Sequence, residues 1–144
     1  MLKARTLFVV GAGASAELGL PVGKVLKEKI SKRLDIRFDS KDRSTTGDQT
    51  IFYAYQILAK EKGVDVALYR HAGIKLAQAM PLAISIDNFL EGHAGNPYIE
   101  SCGKLAIVRS ILDAEGKSVL FAEHPNEFNI QNQALQQVWH VLLM

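Results

Sequence analysis

Cysteine occurs once in this chain, at Cys102, so an internal disulfide is excluded. Long apolar runs are missing too, and none approaches the roughly 18 residues a membrane-spanning helix needs. The run Leu7 to Val10 is also shorter than the roughly 7–15 residues of an export signal, although Lys3 and Arg5 precede it and Ala14-Ser15-Ala16 resembles a cleavage site. Charge of one sign is scarce: 17 basic residues face 15 acidic ones, a net charge of +2, without the basic excess of a nucleic-acid binder. The four histidines, His71, His93, His124 and His140, show neither HxxxH nor CxxC spacing, so no metal site is expected. These absences point to a cytoplasmic, globular chain with neither nucleic acid nor membrane as partner. Its 144 residues suit one domain, and 48% apolar content is enough for a core.

What is present is concentrated near the start. Leu7-Phe8-Val9-Val10 is an apolar run that breaks into Gly11-Ala12-Gly13-Ala14-Ser15-Ala16 and then returns to a helical pattern. It reads as a buried strand, a tight turn and a helix start. Gly11 and Gly13 lack the Cβ that would hold the backbone away from a ligand, so the amides of this turn can converge on an anion, aided by the positive end of the following helix. Gly11-x-Gly13-x-x-Ala16 meets the loose dinucleotide fingerprint.

Further along, Val22, Val25, Leu26, Ile30, Arg33 and Leu34 trace a helical stripe, with Lys24, Lys27 and Lys32 on a solvated face. Residues 37–50 read as an exposed polar loop. Helices are expected over 51–62, ended by Gly63, and over 66–79, ended before Pro81. Ser85 can cap a short helix bearing Ile86, Phe89 and Leu90 that stops at Gly92. A long amphipathic helix is expected over 99–115, apolar at Leu105, Ile107, Val108, Ile111 and Leu112, and a last one from about Gln131 with Trp139 in its core stripe. Leu34 to Phe38 and Val119 to Phe121 are the only other strand candidates. A single parallel strand cannot satisfy its own ladder, so partner strands are expected beyond Met144.

Two blocks carry a family resemblance. Gly11, Ala12, Gly13, Ser15, Gly19, Leu20 and Pro21 meet the pattern Gly-Ala-Gly-x-Ser-x-x-x-Gly-[Ile/Leu]-Pro, and Ser85-Ile86-Asp87-Asn88-Phe89-Leu90 with His93 precedes the long helix. The chain resembles SIR2-like (sirtuin-related) proteins of the bacterial phage-defence type. The resemblance implies an α/β fold: a Rossmann-like NAD-binding core with a partial parallel sheet and a large helical component. The single domain 1–144 would comprise residues 1–36, holding strand, loop and helix, and a mostly helical part, 51–144. It implies NAD as ligand, bound at Gly11, Ala12, Gly13, Ala14 and Ser15, with Glu17 and Pro21 at the loop's edge and Asp87 as a further contact. The activity implied is cleavage of the bond between nicotinamide and ribose. Two departures qualify it. Val22-Gly23-Lys24 stands where true sirtuins carry Asp-Phe-Arg, and their zinc cysteines are absent, which disfavours deacylation. No Asn-Tyr-Asp occurs, so the family's catalytic residues are also expected beyond Met144, and the chain alone is expected not to turn NAD over.

Asn88 and His93 are the candidates for chemistry within the chain, since an amide can hold ribose hydroxyls and an imidazole can act as base near neutral pH. The plainer reading makes His93 a helix C-terminal cap and Asp87 a helix N-terminal acid. Two alternatives remain for the whole chain. One is a Rossmann oxidoreductase, in which Asp35, about 20 residues beyond the glycines, would bind the adenosine ribose. The other is a nucleotide sensor or assembly module that binds NAD without consuming it, as part of a homo-oligomer or beside a further domain.

Overall fold

The computed structural model describes residues 16–17, 19–38 and 44–117. Of these, Gly23–Asp113 form one unit, and residues 16–17, 19–22 and 114–117 belong to a second.

Helix α1 (Gly23–Leu34) buries Ile30 and Leu34 and carries Lys32 and Arg33 in its last turn, where cations complement the helix dipole. Strand β1 (Arg37–Phe38) follows and pairs antiparallel with β2 (Ser44–Thr46), Arg37 opposite Thr46 and Phe38 opposite Ser44. Gly47 then turns the chain at φ +83, where a Cβ would stand 2.5 Å from Ile36 Cγ1, so both conformation and space demand glycine.

Helix α2 (Gln49–Lys62) starts at Asp48, whose carboxylate accepts from the Thr50 and Ile51 amides at 2.9 and 3.4 Å. Gly63 ends it, donating to the Ala59 and Lys60 carbonyls. Helix α3 (Val66–Ala79) starts at Asp65, which accepts from the Ala67 amide at 2.7 Å. The buried residues of α2 are Ile51, Ala54, Tyr55, Leu58 and Ala59; those of α3 are Tyr69, Ala72, Gly73, Leu76 and Ala77. Both sets follow the i, i+3, i+4, i+7, i+8 spacing of a single helical face. Helix α4 (Ile86–Glu91) is capped by Ser85 Oγ, which accepts from the Asn88 amide at 3.0 Å. Helix α5 (Pro97–Glu115) has proline at its first position and Asn96 as its cap, accepting from Tyr98 and Ile99 at 3.2 and 3.1 Å.

Helix α3 packs against both α1 and α2. Gly73 allows the second contact, because its missing Cβ leaves room for the hydroxyl of Tyr55. The Tyr69 ring stacks on Tyr55 at 5.8 Å between centroids and meets Tyr98 of α5 edge-on at 5.1 Å. Cys102 of α5 donates to the Tyr69 carbonyl at 3.3 Å. Phe38 joins the small sheet to α2 and α3, edge-on to Phe52 at 4.9 Å and beneath the Arg70 guanidinium at 5.8 Å.

The expected Rossmann-like core with a partial parallel sheet is corrected: the described residues are mostly helical, and their two strands run antiparallel. Parallel neighbours need a crossover of roughly a dozen residues or more, whereas only residues 39–43 separate β1 from β2. The strand candidate Leu34 to Phe38 is realised only at Arg37–Phe38, in that antiparallel pair. The face of α5 also differs from expectation. Ile99, Cys102, Leu105, Ala106, Ser110 and Ala114 are buried, whereas Ile107, Val108, Ile111 and Leu112 are half-buried. Small side chains occupy the inner face because they let helices approach closely, a preference that ranking residues by hydrophobicity overlooks. The strand at Leu7 to Val10, the candidate at Val119 to Phe121 and the helix bearing Trp139 lie outside the described residues.

Candidate functional site

Gly11, Ala12, Gly13, Ala14 and Ser15 lie outside the described residues. The end of their motif is described. Ala16 and Glu17 are helical and exposed, and Gly19 closes a turn with its amide donating to the Ala16 carbonyl at 3.0 Å. Gly19 sits at φ +82, a left-handed conformation that side-chain-bearing residues seldom adopt. Pro21 is buried.

The second block forms α4 and the turn after it. Asp87 and Asn88 are exposed, and Asp87 lies in the first turn, where a carboxylate complements the dipole. His93 is half-buried, stacked on Phe89 with ring centroids 4.2 Å apart, and its Nδ1 lies 2.9 Å from the Phe89 carbonyl oxygen. A carbonyl only accepts, so Nδ1 carries a proton and, in the neutral ring, Nε2 holds the lone pair. The ring therefore ties the C-terminal end of α4 to the turn that follows. That is the capping role weighed for His93 beside the catalytic one.

Asp35, the acid of the oxidoreductase alternative, sits between α1 and β1 with its Oδ1 accepting from Arg37 Nε at 2.8 Å. It ends no parallel strand, so it cannot take the ribose-binding position that fold would give it.

The most developed polar cluster of the described residues is one that periodicity and spacing alone do not reveal. Asp48, with its side chain 9% exposed, receives Arg33 of α1 on one side and Arg109 Nε of α5 at 3.1 Å on the other. The second terminal nitrogen of Arg33 reaches Asp113 at 2.9 Å. One carboxylate thus caps α2 and anchors two other helices. The signal for it was present: Arg33 falls on the apolar stripe of α1, and a cation drawn inward needs a carboxylate partner. The cluster borders a cleft of about 460 Å³ that also includes Lys32, Gln49 and Thr50.

A second cluster is chemically quiet. Burial pushes the Cys102 thiol up to about 12 and the Tyr55 hydroxyl well above its usual range. A thiol held neutral in this way is a poor nucleophile. Among the described residues no three His, Cys, Asp or Glu side chains come together as metal ligands, and no helix is long and apolar enough to cross a membrane. Comparison with family models, with curated proteins and with solved structures finds no match.

Proposed function

We propose that this chain binds NAD, as a SIR2-like domain of the NAD-cleaving kind that acts in the cytoplasm. The reading rests on one observation, the run Gly11-Ala12-Gly13-Ala14-Ser15 followed at fixed spacing by Gly19-Leu20-Pro21. The left-handed backbone at Gly19 supports it by giving a physical reason for the third glycine of that motif. In this reading the amides of Gly11 to Ser15 hold the diphosphate, with Glu17 and Pro21 at the edge of the loop and Asp87 as a further contact.

Cleaving nicotinamide from ribose further requires groups that favour the developing positive charge on the sugar. We assign Asn88 and His93 no such step: Asn88 is exposed, and the His93 ring makes its contacts with Phe89 of α4. We expect binding without useful turnover by this chain.

Calorimetric titration with NAD tests the binding. Gly13→Val should abolish it, because a branched side chain would occupy the phosphate site and disfavour the turn. Unchanged affinity in that variant refutes the assignment. Nicotinamide release by the purified chain that disappears in Asn88→Ala or His93→Ala would make those residues catalytic after all.

A further inference from the structure

Lys32 stands where three clefts meet, and the proposed function makes no use of it. Clefts of about 320, 460 and 510 Å³ all include Lys32 in their walls. The smallest is shared with Lys27 and Pro81, the second with Gln49, Thr50 and Arg109, and the largest with Gln78 and Arg37.

The acids around this position are already engaged. Glu28 lies 4.0 Å from Lys24, Asp35 holds Arg37 at 2.8 Å, Asp48 holds Arg33 and Arg109, and Asp113 holds Arg33. Lys27 is committed as well, donating to the Ala83 carbonyl. Lys32 is exposed and has neither a hydrogen bond nor an ion pair among the described residues. Arg109, which lines the second cleft, meets Asp48 through Nε at 3.1 Å. The charge left over at Lys32 is therefore positive, and hydrogen-bonding residues share its clefts, Gln49 and Thr50 in one and Gln78 in another. A ligand carrying one charge on two oxygens would use few of these donors. A phosphoryl group, with charge approaching −2 and three acceptor oxygens, can use several together.

We propose that Lys32, with Arg109 and Gln49, forms an anion site for a small molecule bearing phosphoryl groups, independent of the Gly11 to Ser15 turn. Inorganic pyrophosphate is the probe, with ADP and adenosine beside it, followed through the backbone amide resonances of the full chain. Pyrophosphate and ADP should give saturable shifts at Lys32, Gln49 and Arg109, and adenosine none. Tighter binding of ADP would assign a nucleotide as the ligand, and equal binding the phosphoryl group alone. Lys32→Gln removes one charge-assisted contact and should weaken pyrophosphate about tenfold. Lys60→Gln, on an exposed position at the far end of α2, should leave it within about twofold, as expected for one remote surface charge.

Absence of saturable shifts overturns the proposal, as does equal weakening by both lysine variants, which would signify diffuse attraction only. Gly13→Val separates this site from the NAD turn. Pyrophosphate shifts at Lys32 should survive that substitution, and their loss would place the anion at the turn instead. Failure of NAD to bind, by contrast, leaves the Lys32 site standing.

Discussion

Gly73→Ala tests the packing of α2 on α3 through one atom. A Cβ at position 73 would meet Tyr55 Oη at 2.7 Å, while the ring carbons Cε2 and Cζ would stand at an ordinary 3.5 Å. The tyrosine cannot swing aside, since it is 0% exposed and stacked on Tyr69. Overpacking of this kind costs about 1–3 kcal/mol. Alanine returns about 0.5–1 kcal/mol of that through helix propensity, so the net loss should be about 1 kcal/mol. The clash involves a buried hydroxyl that makes no hydrogen bond among the described residues, the nearby Cys102 thiol giving its proton to the Tyr69 carbonyl instead. Tyr55→Phe should therefore stabilise the protein by about 1 kcal/mol, relieving a buried unsatisfied group. In the Tyr55→Phe background the same Gly73→Ala change should stabilise by about 0.5–1 kcal/mol, because only ordinary contacts and propensity remain. Urea unfolding followed by far-ultraviolet circular dichroism measures all four corners of the cycle, and the coupling should be about 1–3 kcal/mol. Additive effects, with Gly73→Ala equally costly in both backgrounds, would refute this account of the contact.

Asp48→Ala should cost about 3–5 kcal/mol, because it strips the cap from α2 and leaves Arg33 and Arg109 without their shared carboxylate. Asp48→Asn keeps an acceptor for the α2 amides and should recover about 1 kcal/mol of that loss, as thermal or urea unfolding will show. Cys102 should resist a thiol-specific aromatic disulfide reagent at mildly alkaline pH in the folded protein and react promptly once unfolded, since burial keeps the thiol neutral. The same shift fixes a pH dependence. The unfolded chain releases the thiol proton first, so the contribution to stability is whole below the ordinary thiol range and is lost as pH rises from there towards about 12. Cys102→Ser should remove that part of the alkaline decline, visible as a flatter unfolding midpoint against pH.

Much of the helical unit is legible along the chain because the forces that set it are local. Asp65, Ser85 and Asn96 supply side-chain acceptors to amides two or three residues ahead, and Gly63 supplies a left-handed stop. Helix α3 spans the expected Val66–Ala79. Helix α2 starts two residues before the expected Ile51, because Asp48 caps it within a stretch that reads as a polar loop. The buried stripe Ile51, Tyr55, Leu58 and Ala59 follows from periodicity alone.

Tertiary structure decided the rest. No local pattern pairs Arg33 with an acid 80 residues away at Asp113, or joins Arg109 to Asp48 across 61 residues. Those ion pairs exist because packed helices bring them together in a partly dry setting where an unpaired charge would be costly. The inner face of α5 likewise depended on where its neighbours allow close approach: Gly103 lies there because a Cβ would stand 2.6 Å from Leu90. The strand pairing turned on distance along the chain. β1 and β2 lie too near one another along the chain for a crossover and pair antiparallel, so the apolar and glycine signals that suggest a parallel sheet could not determine how the described strands pair.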